Sequence, residues 1–206
     1  MLTYNSHILI VDDNKSIHKD ILKVLSNTSS AMIEELGDIE ESLFGDDNPL
    51  EVKKEEGYVI DHAYQGEEAF ELVCKAEKNN DPYALIFMDV RMPPGMDGIE
   101  TIARIWERYP YVEMVICTAF SDYTWDEIVD RLGDTDRLLF IKKPFDSITV
   151  KQLTVSLIKK WNLSNTARHY IKALEEEVFG RTSQLRKLLG EMEVKPVSGN
   201  NSSHGT

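Results

Sequence analysis

The 206-residue chain has little cysteine and no long apolar run, and each shortage excludes a class of protein. With 2 cysteines it is neither a disulfide-stapled secreted scaffold nor a four-thiolate zinc protein. The longest purely apolar stretches, such as residues 8–11, are too short to span a bilayer. The first residues lack the basic and apolar segments of a secretory signal. We therefore expect a cytoplasmic protein with no membrane partner.

Positive charge is also scarce, because 23 Lys and Arg residues stand against 36 Asp and Glu residues, a net charge of −13. A body of this charge is repelled by phosphate backbones, so direct nucleic-acid binding is not expected. Hydrophobic residues make up 42% of the chain, which is typical of a globular protein and too many for a disordered one. The composition therefore predicts a folded, acidic protein.

The periodicity of the sequence alternates between short apolar runs and amphipathic stretches, and this pattern repeats five times. The predicted strands are residues 7–11, 58–63, 83–88, 112–117 and 138–141, and the helices that follow them are 17–25, 67–76, 99–106, 125–132 and a segment from 150 onwards. Strands that are apolar almost throughout favour a parallel sheet covered by helices on both faces. The predicted fold class is α/β, with a doubly wound five-stranded parallel sheet.

Two regions depart from this alternation. Residues 26–57 hold ten acidic residues and two lysines, and they are much longer than an ordinary connection between a helix and a strand. We interpret them as an acidic surface insertion after the first helix, part helical and part mobile. The second region is the tail, whose last residues, 195–206, are polar and predicted to be disordered.

A heptad pattern of apolar residues begins in the last predicted helix and continues into the tail. It comprises Val150, Leu153, Leu157, Ile171, Leu174, Val178, Leu185, Leu188 and Met192. Sustained spacing of this kind is typical of a coiled coil, and a single helix folded back on the body is the alternative. We therefore predict a main domain over residues 1–160, a helical or coiled-coil extension over 161–194 that could pair in a homodimer, and the disordered tail.

Polar side chains stand where the predicted strands end. Asp12 and Asp13 follow the first strand, Asp89 the third, Thr118 the fourth and Lys143 the fifth. A sheet of order 2-1-3-4-5 brings these ends to one edge, where ligand sites of open α/β sheets lie. Three carboxylates in one pocket repel one another unless a cation is present, and hard oxygen ligands suit Mg²⁺. The pattern predicts a divalent-cation site with a lysine and a hydroxyl beside it.

Four motifs at these strand ends carry a family resemblance: ILIVDDN at 8–14, MDVRMPPGMDG at 88–98, CTA at 117–119 and KPF at 143–145. Together and in this order they resemble the receiver domain of two-component response regulators, the CheY-like superfamily with its flavodoxin-like fold. The resemblance implies that Asp89 is the phosphoacceptor, that Asp12 and Asp13 bind Mg²⁺ or Mn²⁺, and that Arg91 offers its backbone carbonyl to the metal.

The resemblance also assigns roles around the acceptor. Lys143 is expected to pair with the phosphoryl oxygens and to precede a cis peptide bond to Pro144. Thr118 is expected to donate its hydroxyl to the bound phosphoryl group. Phe140 stands where the family has an aromatic switch, often tyrosine, although a core residue is the other reading. The glycines of the 88–98 motif, Gly95 and Gly98, are expected to let the loop turn.

The implied function is a phosphoacceptor signalling module, not an enzyme of small molecules, that takes its phosphoryl group from a sensor histidine kinase or a phosphotransfer protein. Phosphorylation is expected to change the surface of the fourth helix and fifth strand and the contacts of the tail. Two alternatives stay open. The chain could be a pseudo-receiver that binds partners without phosphorylation, or the N-terminal part of a larger regulator with a separate output domain. A phosphatase is disfavoured, because Arg91 stands where such enzymes need a second Asp.

Overall fold

The structure, a computed structural model, describes residues 4–26, 57–119 and 125–193. These residues form five strands and five helices in strict alternation. The order is β1 (His7–Val11), α1 (Lys15–Ser26), β2 (Val59–Ala63), α2 (Gly66–Lys78), β3 (Leu85–Asp89), α3 (Gly98–Arg108), β4 (Glu113–Thr118), α4 (Trp125–Leu132), β5 (Leu138–Lys142) and α5 (Ser147–Glu193). Among these helices none has both the length and the apolarity needed to cross a membrane.

The strands form one parallel sheet of order β2-β1-β3-β4-β5, which confirms the predicted fold class and strand order. The inner strands β1 and β3 are buried at every position, in keeping with sequences that are apolar except for His7 at the start of β1 and Asp89 at the end of β3. Alternate residues of each strand enter two separate cores. Leu9 and Met88 pack with α2, α3 and α4, whereas Ile8 and Phe87 pack with α1 and the first part of α5.

The predicted strands and helices are confirmed with small shifts at their ends. The predicted strand at 83–88 becomes Leu85–Asp89, so that Asp89 is the last residue of β3 rather than the first residue beyond it. The helix predicted from residue 150 begins at Ser147, where the carboxylate of Asp146 accepts a hydrogen bond from the backbone N–H of Thr149. Most of the predicted acidic insertion and the whole predicted disordered tail lie outside the described residues.

The helix α5 runs without interruption from Ser147 to Glu193, while the chain divides into two compact units after Leu163. In the first unit, polar contacts fix the start of α5 at the amino edge of the sheet. Asn162 exchanges two hydrogen bonds with the backbone of Asn5, at 2.8 and 2.7 Å. Lys160 pairs with the buried carboxylate of Glu113 at 3.1 Å. Burial raises the pKa of Glu113, although Lys160 opposes the shift.

In the second unit, every described side chain from residue 167 to residue 187 is exposed. Several of these exposed side chains are large and apolar. Four of the large apolar side chains keep the heptad spacing, namely Ile171, Leu174, Val178 and Leu185. Gly180 does not interrupt the helix. An exposed apolar row of this length is unusual for a helix that has no partner.

Candidate functional site

The strand order brings the polar strand ends to the carboxyl edge of the sheet. Asp89 is the last residue of β3 and lies opposite Cys117 of β4, while Thr118 ends β4 opposite Lys142 of β5. Asp12 follows β1, which lies beside β3. The acidic residues at the ends of the adjacent strands β1 and β3 therefore meet near Lys143, the residue that follows β5. The Lys143 amide donates to the Thr118 carbonyl at 2.9 Å, so the end of β5 is held against β4.

The ammonium group of Lys143 bridges two buried carboxylates. Its Nζ atom lies 2.6 Å from Oδ2 of Asp12 and also forms an ion pair with Oδ1 of Asp89. Asp12 is 1% exposed and Asp89 is 7% exposed, so both negative charges are largely withdrawn from water. The peptide bond between Lys143 and Pro144 is cis. The neighbouring Lys142 side chain is exposed, so only the second lysine of the pair enters the pocket.

The pocket shifts the pKa values of Asp89 and Lys143. Burial raises the pKa of Asp89 above its ordinary value, and the charge of Asp12 adds to the rise, while Lys143 and the Arg91 amide lower it. Burial alone would lower the pKa of Lys143, but its two carboxylate partners hold it above its ordinary value. Lys143 is therefore protonated at neutral pH, and the Asp89 carboxyl group releases its proton less readily than an ordinary aspartic acid does.

The loop after β3 packs directly against the backbone of Asp89. The Arg91 amide donates to Oδ2 of Asp89 at 3.1 Å, and the Gly98 amide donates to the carbonyl of Val90 at 2.9 Å. A Cβ atom added at Gly98 would lie 2.0 Å from the Asp89 carbonyl oxygen, which is far inside the distance at which non-bonded carbon and oxygen atoms make contact. Gly98 is therefore required by close approach of the backbone rather than by a special dihedral angle.

Replacing Gly98 by Ala is expected to destabilise the fold by about 1–3 kcal/mol, because the backbone of Asp89 must move to accommodate the methyl group. Urea unfolding followed by circular dichroism would measure this change. Gly180→Ala is the matched control, since a Cβ there meets nothing within 4 Å. That control should be neutral or stabilising by about 1 kcal/mol, as expected for Gly to Ala inside a helix. Equal effects of the two substitutions would contradict this account of Gly98.

The acidic groups of the pocket suit a divalent cation. Asp12, Asp13 and Asp89 each offer a carboxylate oxygen, and these oxygens lie within 4.8 Å of one another. With all three carboxylates ionised and Lys143 protonated, the cluster carries a net charge of −2, which a divalent ion would neutralise. Asp13 is exposed, so the group has an opening to solvent. Hard oxygen ligands and a partly open site fit Mg²⁺, which retains several waters.

The other predicted site residues are Thr118, Arg91 and Phe140, and they differ in the contacts that they make. Thr118 ends β4 at the same edge, and its hydroxyl donates to the Ala119 carbonyl at 2.8 Å. Arg91 contacts Asp89 through its backbone amide. Phe140 lies in β5, three residues before Lys143. Its side chain is half-buried and packs against the core formed with α2, α3 and α4.

Several residues near the site were not identified from the sequence. The Gln65 side chain accepts from the Gly95 amide at 3.2 Å, and Glu67 accepts from the Met96 amide at 3.0 Å, so the start of α2 holds the loop after β3. His18 and His62 form a pair that contacts the backbone of Asp12. These residues lie in different strands and helices and share no motif, so no local signal in the sequence indicates that they meet.

A family model described as "Response regulator receiver domain" matches residues 48–154, just over half of the chain. The match begins at residue 48, within the long interval between α1 and β2. It therefore does not include β1 and α1, which come earlier in the chain. The structure nevertheless places β1 in the centre of the sheet, with Asp12 in the acidic pocket.

The curated proteins that are similar in sequence include a kinase and a phosphotransferase. The chain is 33% identical over 141 residues to "Hybrid signal transduction histidine kinase B" of Dictyostelium discoideum, covering 59% of this chain and 7% of that protein. It is 29% identical over 96 residues to "Sporulation initiation phosphotransferase F" of Bacillus subtilis, covering 47% of this chain and 70% of that protein. The chain therefore corresponds to only a small part of the Dictyostelium kinase.

Solved structures show the same fold at low identity. The signal receiver domain of an HD domain-containing protein from Pseudomonas fluorescens has a TM-score of 0.56 and 17% identity, covering 81% of this chain and 96% of that one. A CheY-like response regulator receiver domain from Methanospirillum hungatei has a TM-score of 0.50 and 20% identity, covering 75% and 95%. These likenesses establish the fold alone.

Proposed function

Because the chain belongs to the response regulator receiver domain family, we propose that it is the phosphoacceptor of a two-component phosphorelay and that Asp89 carries the phosphoryl group. Receiver domains are signalling modules whose partners are histidine kinases or phosphotransfer proteins. The observation that carries the proposal is the Lys143 ammonium held between the buried carboxylates of Asp12 and Asp89. In this arrangement the carboxylate of Asp89, the proposed nucleophile, lies beside a positive charge.

The proposed reaction is a direct displacement at phosphorus. An oxygen of the Asp89 carboxylate attacks the phosphorus of a phosphohistidine, and the bond from phosphorus to the histidine nitrogen breaks. The leaving nitrogen retains the electron pair and takes up a proton, and an acyl phosphate forms on Asp89. Hydrolysis by water later breaks the acyl phosphate and regenerates the carboxylate. The chain therefore promotes its own phosphorylation and dephosphorylation without turning over a separate substrate.

The residues around Asp89 would act mainly by position and charge. Lys143 would bind oxygens of the transferred group, and Thr118 would donate its hydroxyl to one of them. Asp12 and Asp13 would hold a divalent cation together with the Arg91 carbonyl. Bound Mg²⁺ or Mn²⁺ supplies positive charge that neutralises the transferring phosphoryl group. The Lys143 ammonium can leave its carboxylate partners for the incoming phosphate, because both classes of oxygen satisfy the same donor.

The output of phosphorylation is proposed to run through β4 and β5. When Thr118 turns towards the phosphoryl group it leaves the Ala119 carbonyl, and the space it vacates admits the ring of Phe140. The half-buried position of Phe140 in the present structure is compatible with such a rearrangement. Two arrangements of α4 and β5 would then exchange population according to the state of Asp89.

The exposed part of α5 is proposed to pair with a second copy of the chain, as the coiled-coil extension over 161–194. The support is the heptad row of exposed apolar side chains, since a helix of this kind gains most of its stability by packing that row. A symmetric pair buries the same residues on each chain.

Substitution of Leu174 and Val178 together by Asp is expected to convert a dimer into a monomer in sedimentation equilibrium, because charges in the seam repel across the pair. Phe179→Asp is the control, since this exposed side chain lies beside the heptad row rather than in it. It should leave the mass unchanged. A monomeric unsubstituted chain at high micromolar concentration would refute the pairing.

Incubation with a small-molecule phosphoryl donor and Mg²⁺ tests the central proposal. The intact mass should rise by one phosphoryl group, and the adduct should survive acid and be lost in base, as acyl phosphates are. Peptide mapping after borohydride reduction should place it at Asp89. Failure to form the adduct with this donor and with a panel of phosphorylated histidine phosphotransfer proteins would favour a pseudo-receiver that acts by binding alone.

A further inference from the structure

Two histidines from different elements meet beside the acidic pocket. His18 lies in α1 and is 4% exposed, and His62 lies in β2, in register with Ile10 of β1. Their Nδ1 atoms are 2.8 Å apart, and Nε2 of His18 lies 2.8 Å from the backbone carbonyl oxygen of Asp12. The Tyr64 ring covers His18 at a centroid distance of 4.7 Å. This contact set joins α1, β2 and the end of β1.

The hydrogen bonds of this pair can be assigned by elimination. A backbone carbonyl only accepts, so Nε2 of His18 donates to Asp12. The other nitrogen of a neutral His18 ring is then an acceptor, and His62 donates to it through Nδ1. Burial lowers the pKa of His62, and the neighbouring His18 lowers it further, although Asp61 opposes both. The two hydrogen bonds therefore run in one direction, from His62 to His18 and from His18 to the Asp12 carbonyl.

The Asp12 carbonyl belongs to the peptide that joins Asp12 to Asp13. On the other side, the Asp12 amide donates to the Ala63 carbonyl of β2 at 3.2 Å, and its side chain accepts from the Asn14 amide at 2.8 Å. Holding both the amide and the carbonyl of Asp12 restrains the two peptide units on either side of its Cα atom, from which the Asp12 carboxylate projects. Partners that orient the residues of a metal site commonly affect metal affinity as much as some ligands do.

We propose that His18, supported by His62, is a positioning residue that holds the Asp12–Asp13 peptide so that both carboxylates face the cation of the acidic pocket. The proposal rests on the proposed function for the presence of that cation. It makes β2, an edge strand with no residue in the pocket, part of the apparatus that orients the metal-binding carboxylates. His18 and His62 are expected to act on this site together, because His62 acts only through His18.

Titration of the 206-residue chain with Mn²⁺, followed by electron paramagnetic resonance of the free ion, tests the effect on binding of the cation. His18→Leu should weaken Mn²⁺ binding on the order of tenfold. His18→Gln should remain within about twofold of the parent chain, because its amide N–H can still donate to the Asp12 carbonyl. Ile21→Ala is the matched control, since it removes another buried side chain of α1, one that has no group able to donate a hydrogen bond to the Asp12 carbonyl.

A second readout needs no metal. In the metal-free protein, the amide resonance of Asp13 should move in His18→Leu and stay in Ile21→Ala, because that amide shares a peptide with the carbonyl that His18 holds. Unchanged Mn²⁺ affinity in His18→Leu, or an equal loss in Ile21→Ala, would overturn the positioning role. If the parent chain bound no Mn²⁺, the proposed metal site would fail, and the Asp13 amide comparison alone would decide the positioning of this peptide.

Discussion

Replacing Asp89 by Asn is expected to abolish incorporation of the phosphoryl group. The substitution retains the size of the side chain but removes the anionic oxygen that attacks phosphorus, and an amide is a very poor nucleophile. Intact-mass measurement after incubation with a small-molecule donor and Mg²⁺ would detect the loss. The expected result is no adduct under conditions that convert a measurable fraction of the parent chain.

The control for this experiment is Asp97→Asn. Asp97 lies in the same loop, but its carboxylate caps α3 by accepting from the Glu100 amide at 2.8 Å, a task that Asn performs equally well. This variant should be phosphorylated as the parent chain is. An adduct of undiminished yield in Asp89→Asn would mean that another carboxylate, such as Asp12 or Asp13, accepts the group, and would contradict the proposed role of Asp89.

Replacing Lys143 by Met is expected to have the second large effect, on stability as well as on phosphorylation. The ammonium compensates two carboxylates whose side chains are only 2% and 10% exposed, and its own side chain is 19% exposed. Removing one partner of a buried ion pair leaves uncompensated charge and costs on the order of 3 kcal/mol. Phosphoryl transfer should also fall, because the fixed positive charge for the phosphoryl oxygens is lost.

The loss of stability should depend on pH in a defined direction. Burial already raises the pKa of Asp89 above its ordinary 3.8, so the folded state binds this proton more tightly than the unfolded state does. Stability from this group is therefore highest at low pH and declines as the pH rises through the folded-state pKa. Without Lys143 the pKa rises further, so the deficit of the variant should be largest near neutral pH and shrink towards pH 4.

Urea unfolding of the parent chain and of Lys143→Met at several pH values would measure this difference. Lys142→Met is the matched control, because the Lys142 side chain is adjacent in sequence but exposed. It should change stability by less than about 0.5 kcal/mol at every pH. A deficit for Lys143→Met that stays constant from pH 4 to pH 8 would indicate lost packing of the lysine chain rather than an uncompensated pair of carboxylates.

Much of the fold could be predicted because its central strands are buried on both faces. Such strands are apolar almost throughout, so the runs at β1 and β3 stand out, and the polar residues that end or follow them mark the edge of the sheet. Lys143 could be predicted to lie at the same edge, because it comes after the fifth predicted strand. The exact ends of the strands could not be predicted from the sequence. The third strand was expected to end at residue 88, whereas β3 includes Asp89 as its last residue.

The part of the site that could not be predicted consists of contacts between elements distant in the chain. His18 and His62 are separated by 44 residues, and each alone is an unremarkable histidine in a helix or strand. The same is true of Gln65 and Glu67, which bind the loop after β3 from the start of α2. Their roles depend on which helix covers which strand, and hydrophobic periodicity carries no information about individual side-chain partners.

By itself, the sequence determined the alternation of strands and helices, the parallel sheet and the acidic and cationic residues at its carboxyl edge, because burial and backbone propensity act locally. Only the tertiary structure decided that the Lys143 ammonium joins Asp12 to Asp89, that Gly98 must lack a side chain, and that a histidine pair holds the Asp12 backbone. Those features depend on distances of a few ångströms between separate elements, which arise only when the helices pack on the sheet.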